Sequence, residues 1–120
     1  MQRIAFQLRL KKDKLQEYDR VHQHVWPELL RELESFGVRE YSIFRRGQQL
    51  FLYMHVPDFA KLLSQLAESE IDRRWQRSVA DLFEPVPDLQ ADEPFAMMQE
   101  VFYMPGPKSP DFDAAEGSKE

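Results

Sequence analysis

Tyr18 and His22 stand four residues apart, the spacing that puts two side chains on one helix face, one turn above the other. A phenol beside an imidazole forms a hydrogen-bonding and proton-carrying pair suited to work near neutral pH. Pro27 follows in the same stretch. It lacks a backbone donor and biases Trp26 away from helical angles, so the helix carrying the pair should break or bend just beyond His22. His22 then lies in a last helical turn, whose unpaired carbonyls favour an imidazole that holds its proton. Such a group suits general acid catalysis. The plain alternative is a half-buried helix histidine bonded to a neighbour. A local rule broken beside titratable groups is where functional sites tend to be found.

Other residues could join this pair. Tyr41, like Tyr18, combines an apolar ring with a polar tip and reads either as a core-edge residue or as a ligand contact. Trp75, within Arg73-Arg74-Trp75-Gln76, either fills the core or offers its face to the C–H groups of a sugar ring. Trp26, just before the proline, reads as a structural wedge at the bend. A metal site is not expected. His22 and His24 are two apart, which on a helix points them roughly 200° from each other, and His55 falls in a strand pattern. There is no glycine-rich phosphate loop and no nucleophile elbow. The absence of cysteine from the sequence excludes disulfides, thiolate chemistry and cysteine-ligated zinc.

The elements that must position these residues follow from periodicity. Ile4, Phe6, Leu8 and Leu10 alternate with Arg3, Gln7, Arg9 and Lys11, which predicts a strand. Asp13 is the expected cap of the next helix. Its apolar stripe runs through Leu15, Tyr18, His22, Val25, Leu29, Leu33 and Phe36 in steps of three or four, and Gly37 stands where a helix C-terminal glycine belongs. Residues 38–46 and 49–56 predict two strands joined by a tight turn at Gly47. Pro57-Asp58 opens a helix with Phe59, Leu62, Leu63 and Leu66 inward. A further helix over 69–82 carries Ile71, Trp75, Val79 and Leu82. Pro85, Pro87 and Pro94 make 84–94 a loop, and 98–104 predicts the last strand.

The order is β-α-β-β-α(α)-β, the ferredoxin-like α+β arrangement with an antiparallel sheet. Such a fold covers one sheet face and leaves the other bare. The third strand is apolar or amphipathic on both faces, so a homodimer with sheets packed face to face is expected.

At 120 residues the chain has room for one domain, read here as 1–105, with a disordered acidic tail over 106–120. The apolar and charged fractions, 42% and 31%, are ordinary for a globular protein. No apolar run approaches the ~18 residues needed to cross a bilayer, and no signal-peptide start is seen. A cytoplasmic location fits. A net charge of −5 argues against a nucleic-acid partner, which needs a concentrated basic face.

Tyr18, His22, the run Val25-Trp26-Pro27-Glu28-Leu29 and Tyr41-Ser42-Ile43-Phe44 together resemble the L-rhamnose mutarotases. Arg74-Trp75 and the closing Gln99-Glu100-Val101-Phe102-Tyr103-Met104-Pro105 fit the same pattern, so the likeness covers residues 3 to about 105. The resemblance implies a dimeric α/β-barrel of ferredoxin-like subunits that interconverts the anomers of L-rhamnose without a cofactor. It implies a histidine proton donor, matched by His22, and a sugar held by residues matching Tyr18, Tyr41, Trp75 and Gln76. At the last pair many family members have Trp-Trp. Here one stacking surface is exchanged for the Gln76 amide. A monooxygenase or haem-degrading protein on the same architecture, or a non-catalytic sugar-binding module, are the competing readings, because fold alone does not decide function.

Overall fold

In the computed structural model, which describes residues 1–107, the opening alternation forms β1 (Gln2–Leu10). Its even-numbered residues face the helices, with Phe6 and Leu10 buried. The central partner of β1 is β3 (Gln49–Val56), antiparallel, with Phe6 opposite Leu52 and Ala5 opposite Tyr53. On the far side of β3 runs β2 (Glu40–Arg46), with Tyr41 opposite Met54 and Ile43 opposite Leu52. The β2–β3 turn needs the left-handed backbone of Gly47, at φ 57°.

The other edge of β1 is shared by two short strands. β4 (Phe83–Glu84) pairs at Arg9 and Leu10, and β5 (Ala96–Met98) pairs at Ala5 to Gln7, both antiparallel. The order β2-β3-β1-β4, with β5 also beside β1, is the ferredoxin-like arrangement of the α+β class. It differs from expectation at the end of the chain. The last strand is Ala96–Met98, not residues 98–104, and 99–107 have no regular structure. This segment is held instead by Arg3, which makes a paired ion contact with Glu100 at 2.6 and 2.8 Å and lies 3.4 Å from the Tyr103 ring centre. Of the acidic tail expected over 106–120, all but the first two residues lie outside the described part.

The long amphipathic stretch is two helices. α1 (Leu15–Val21) is preceded by a single 3-10 turn over Lys12–Lys14. Asp13 sits inside that turn and makes no cap hydrogen bond, contrary to its expected role. α2 (Pro27–Ser35) begins on the proline itself, whose missing donor is no loss at a first helical position. α2 ends in a Schellman motif. Val38 N–H donates to the Leu33 carbonyl and Gly37 N–H to the Glu34 carbonyl, with Gly37 at φ 102°. A Cβ at Gly37 would meet Pro57 Cδ at 3.0 Å, so glycine is required there twice over.

α3 (Phe59–Ala67) is capped by the Asp58 carboxylate, which accepts from Lys61 N–H. α4 (Glu70–Val79) is capped by Ser69, whose hydroxyl oxygen accepts from Asp72 N–H. The helices cover one sheet face only. The core beneath them is built from Phe6, Leu10, Leu50, Leu52, Met54 and Val56 of the sheet with Leu29, Leu62, Trp75 and Val79 of the helices.

Candidate active site

The break between α1 and α2 sets the site. His22 is the residue at which α1 stops, and its imidazole turns back so that Nδ1 lies 3.0 Å from the Tyr18 carbonyl oxygen. A carbonyl can only accept, so this contact places a proton on Nδ1 and leaves Nε2 as the nitrogen that exchanges its proton. The same carbonyl also accepts from His22 N–H at 3.3 Å. A carbonyl of the last helical turn, shared between backbone and ring, thus fixes the ring's tautomer. The Tyr18 ring lies against the imidazole, with centroids 4.2 Å apart, as the four-residue spacing requires. Beneath, Arg45 of β2 holds Asp19 through two contacts of 2.6 and 2.8 Å, tying α1 to the sheet and lowering the Asp19 carboxyl below its usual range.

Trp75 meets this group from α4. Its ring stands edge-to-face with His22 at 5.7 Å and with Trp26 at 5.2 Å. Trp26, immediately before Pro27, is the wedge expected at the bend. His22, Trp75 and Tyr41 then line one cavity of about 300 Å³ together with Val25, Leu29, Leu30, Leu33 and Ile43. That is the low end of ligand-pocket volumes and is suited to a single sugar ring. Hollows of about 340 and 440 Å³ are wider and more open, the first sharing Leu30, Leu33 and Tyr41 with this cavity, but neither is lined by an imidazole or a tryptophan.

A second chamber of about 160 Å³ adjoins the first and shares Leu29, Leu33, Tyr41 and Trp75 with it. It contains Gln76 and, unexpectedly, Asp72. Gln76 Nε2 donates to Asp72 Oδ1 at 3.3 Å. Burial pushes the Asp72 carboxyl above its usual range, against the Gln76 hydrogen bond and helped by the nearby Glu32 charge. Glu32 in turn accepts from the Ser69 hydroxyl. Desolvation and the Asp72 carboxylate push the Tyr41 phenol up to about 12. Tyr41 as a residue is 41% exposed, but that figure averages the whole side chain, whereas the shift reports the surroundings of the hydroxyl. Burial raises Tyr18 further still, so both phenols are neutral donors at any physiological pH.

Four of the five residues singled out from the sequence, His22, Tyr41, Trp75 and Gln76, line these adjoining chambers. Tyr18 lines neither: it is 5% exposed, and its ring supports His22 on one side and meets Phe83 edge-on on the other. Asp72 was missed. Its signal was present, since it precedes Trp75 by three and Gln76 by four, which places all three on one face of α4. Among the described residues no three His, Cys, Asp or Glu side chains cluster as metal ligands would.

Fold and site together define a class: a small ferredoxin-like domain with an aromatic, sugar-sized cavity and one imidazole at its wall. The model of the L-rhamnose mutarotase family matches residues 3–104, and the chain belongs to that family. Curated relatives of that name include one from Formosa agariphila, 36% identical over 107 residues (87% of this chain, 99% of the relative). Another, from Bacillus subtilis, is 34% identical over the same shares. Among solved structures, the L-rhamnose mutarotase of Formosa agariphila superposes with a TM-score of 0.71 at 34% identity, covering 88% of this chain and all of that one. The tetracenomycin F2 cyclase of Streptomyces glaucescens, a polyketide cyclase, gives 0.66 at 16% identity over 89% of this chain and all of that one. The second likeness is one of fold alone.

Proposed function

We propose that the chain interconverts the α and β anomers of L-rhamnose, or of a closely related sugar, with His22 as the proton donor. Anomer exchange opens a cyclic hemiacetal. The ring oxygen gains a proton as the anomeric hydroxyl loses one, the aldehyde rotates, and the ring recloses on its other face. No electrons are transferred and no covalent enzyme intermediate is required. The observation that carries the reading is the His22 ring itself. Nδ1 is committed to the Tyr18 carbonyl, and Nε2 has no hydrogen-bond partner among the described residues, on a ring that lines the cavity with Trp75 and Tyr41. Nε2–H protonates the ring oxygen, and water or a second polar group takes the proton that leaves the anomeric hydroxyl. The neutral Tyr41 phenol and the Gln76 amide orient hydroxyls, and Trp75 packs against ring C–H groups. Tyr18 acts chiefly by holding the imidazole.

The same reading takes the uncovered sheet face as the seat of a second copy, giving a dimeric α/β-barrel. Support comes from Phe44, 63% exposed there, with Phe51, Tyr53 and Met98 on the same side by register. Residues 1–105 would carry the activity in the cytoplasm, with the remainder dispensable.

The test is NMR exchange between the anomeric signals of L-rhamnose. His22→Ala should slow exchange about 10² to 10⁴-fold, roughly 2.7 to 5.5 kcal/mol of barrier, with the circular dichroism of the folded chain retained. Full rate in that variant removes His22 from the mechanism. Sugar binding without exchange in the unaltered protein leaves a binding module.

A further inference from the structure

Trp26 lines none of the hollows described above, yet it packs on a ring that does. Trp75, 9% exposed, is the residue that α4 contributes to the cavity beside His22. Among the described residues no acceptor meets its indole N–H. The Ser78 hydroxyl donates to its backbone carbonyl, which fixes the helix and not the ring. The ring is held by packing, and its aromatic neighbours are His22 at 5.7 Å and Trp26 at 5.2 Å, both edge-to-face.

Local sequence makes Trp26 a fixed abutment. The proline that follows biases its backbone away from helical angles, and it stands at φ −59° and ψ 127°. Its carbonyl accepts from Leu29 N–H at 3.0 Å and from Leu30 N–H at 3.1 Å. A ring on so constrained a backbone moves little. An edge-to-face pair also has a preferred geometry, which an aliphatic neighbour of similar bulk does not impose. We propose that Trp26 is a positioning residue: it sets the orientation in which Trp75 meets the sugar, and so governs substrate binding from outside the cavity. The assignment rests on the anomer-exchange reading. It gives the two working rings separate supports. The imidazole takes its orientation from the Tyr18 carbonyl, whereas the indole takes its orientation from Trp26. Loss of the Trp26 ring should therefore weaken sugar binding and spare proton transfer.

Trp26→Leu keeps an apolar side chain and removes the ring. NMR exchange on L-rhamnose with the full chain should show KM raised about 2- to 12-fold, with kcat within about twofold of the unaltered value. Trp26→Phe restores an edge-to-face partner and should recover most of that loss. The chain has two tryptophans, so in either variant Trp75 is the sole source of indole fluorescence. Its anisotropy should be lower in Trp26→Leu than in Trp26→Phe. Titrated with L-rhamnose, its emission should half-saturate at a correspondingly higher sugar concentration in Trp26→Leu. An unchanged KM in Trp26→Leu, a loss carried by kcat, or an equal loss in both variants overturns the assignment and leaves the anomer-exchange reading standing. Failure of either variant to fold makes Trp26 core filler and overturns the assignment as well. If the unaltered protein exchanges no sugar, the anomer-exchange reading fails, and the two Trp75 titrations still decide the positioning role: equal half-saturation, or no response in Trp26→Phe, ends it.

Discussion

The two faces of the sheet are built from the same strands and meet different ends. Along β3, Leu50, Leu52, Met54 and Val56 turn to the helices and are buried, whereas Phe51, Tyr53 and His55 turn the other way and are only half covered. The inner face is mainly aliphatic, with Phe6 and Tyr41 as its aromatic residues, and is closed by the helices; among the described residues Tyr41 and Ile43 at its β2 edge are the sheet residues lining the cavity that holds His22. The outer face is aromatic and touched by little beyond the Arg3-anchored segment after β5. There His55 Nε2 is enclosed yet has no hydrogen-bond partner among the described residues. The difference separates two tasks. Aliphatic packing makes a rigid floor for the site, and aromatic rings with polar tips suit a surface that another copy can cover.

The largest way to break this contrast is a cavity under the floor. Leu52, 4% exposed on the inner face, should cost about 2–5 kcal/mol of unfolding free energy when cut to alanine, read from urea midpoints. Phe44→Glu on the outer face should leave the stability of the subunit within about 0.5 kcal/mol. Its effect should instead be on assembly. A charge placed on the proposed interface should leave a 14.3 kDa species in sedimentation velocity, where the unaltered protein is expected to sediment as a dimer. Equal loss of subunit stability from both substitutions would mean that the faces do not differ in this way.

Alkali sharpens the contrast further. The inner phenols are held protonated by burial, Tyr41 up to about 12 and Tyr18 beyond that. In the unfolded chain both ionise near 10. Their folded values are raised, so the stability they contribute is complete below pH about 10 and is lost as pH rises towards the folded values. The slope approaches about 1.4 kcal/mol per pH unit for each phenol. Thermal melts between pH 9 and 11.5 should fall less steeply for Tyr41→Phe. Tyr53, on the outer face, is also raised by desolvation, but it is half-exposed, and Tyr53→Phe should flatten the curve less.

What could be read in the sequence was what short-range geometry decides. The alternation of β1, the Gly47 hairpin, the glycine stop at Gly37 and the break beyond His22 all follow from neighbours within a few residues, and each is found. The last strand is different. Val101 to Met104 has the composition of a strand, but a strand needs an edge, and the edge of β1 is already occupied by Phe83–Glu84 and Ala96–Met98. No local pattern records that competition. Asp13 reads as a cap until a 3-10 turn absorbs it. The meeting of His22 and Trp75 was legible as a list of residues but not as a contact, because α1 and α4 are far apart in sequence and meet only by packing on the same sheet face. Asp72 escaped because an apolar stripe is found by counting Ile71, Trp75 and Val79, and a carboxylate beside such a stripe reads as surface.

The smallest expected effect bears on that carboxylate. Burial raises the Asp72 pKa, so the folded state penalises the charged form. Relative to an uncharged side chain, Asp72 is neutral in its effect below the unfolded carboxylate value, near 4, and destabilising once pH exceeds the raised folded value. Asp72→Asn keeps the size and removes the charge. It should therefore stabilise the chain at pH 7 by about 0.5 kcal/mol, a modest figure because the group is partly solvated, and the gain should vanish as pH falls below about 4. Paired melts at pH 7 and pH 3.5 measure it. Asp72 would then weaken the fold slightly where it stands, on the α4 face that lines the second chamber beside residues of α2 and α3. If Asp72→Asn were instead less stable at pH 7, the carboxylate would be holding the helix together, and its place in the cavity wall would need no ligand to explain it.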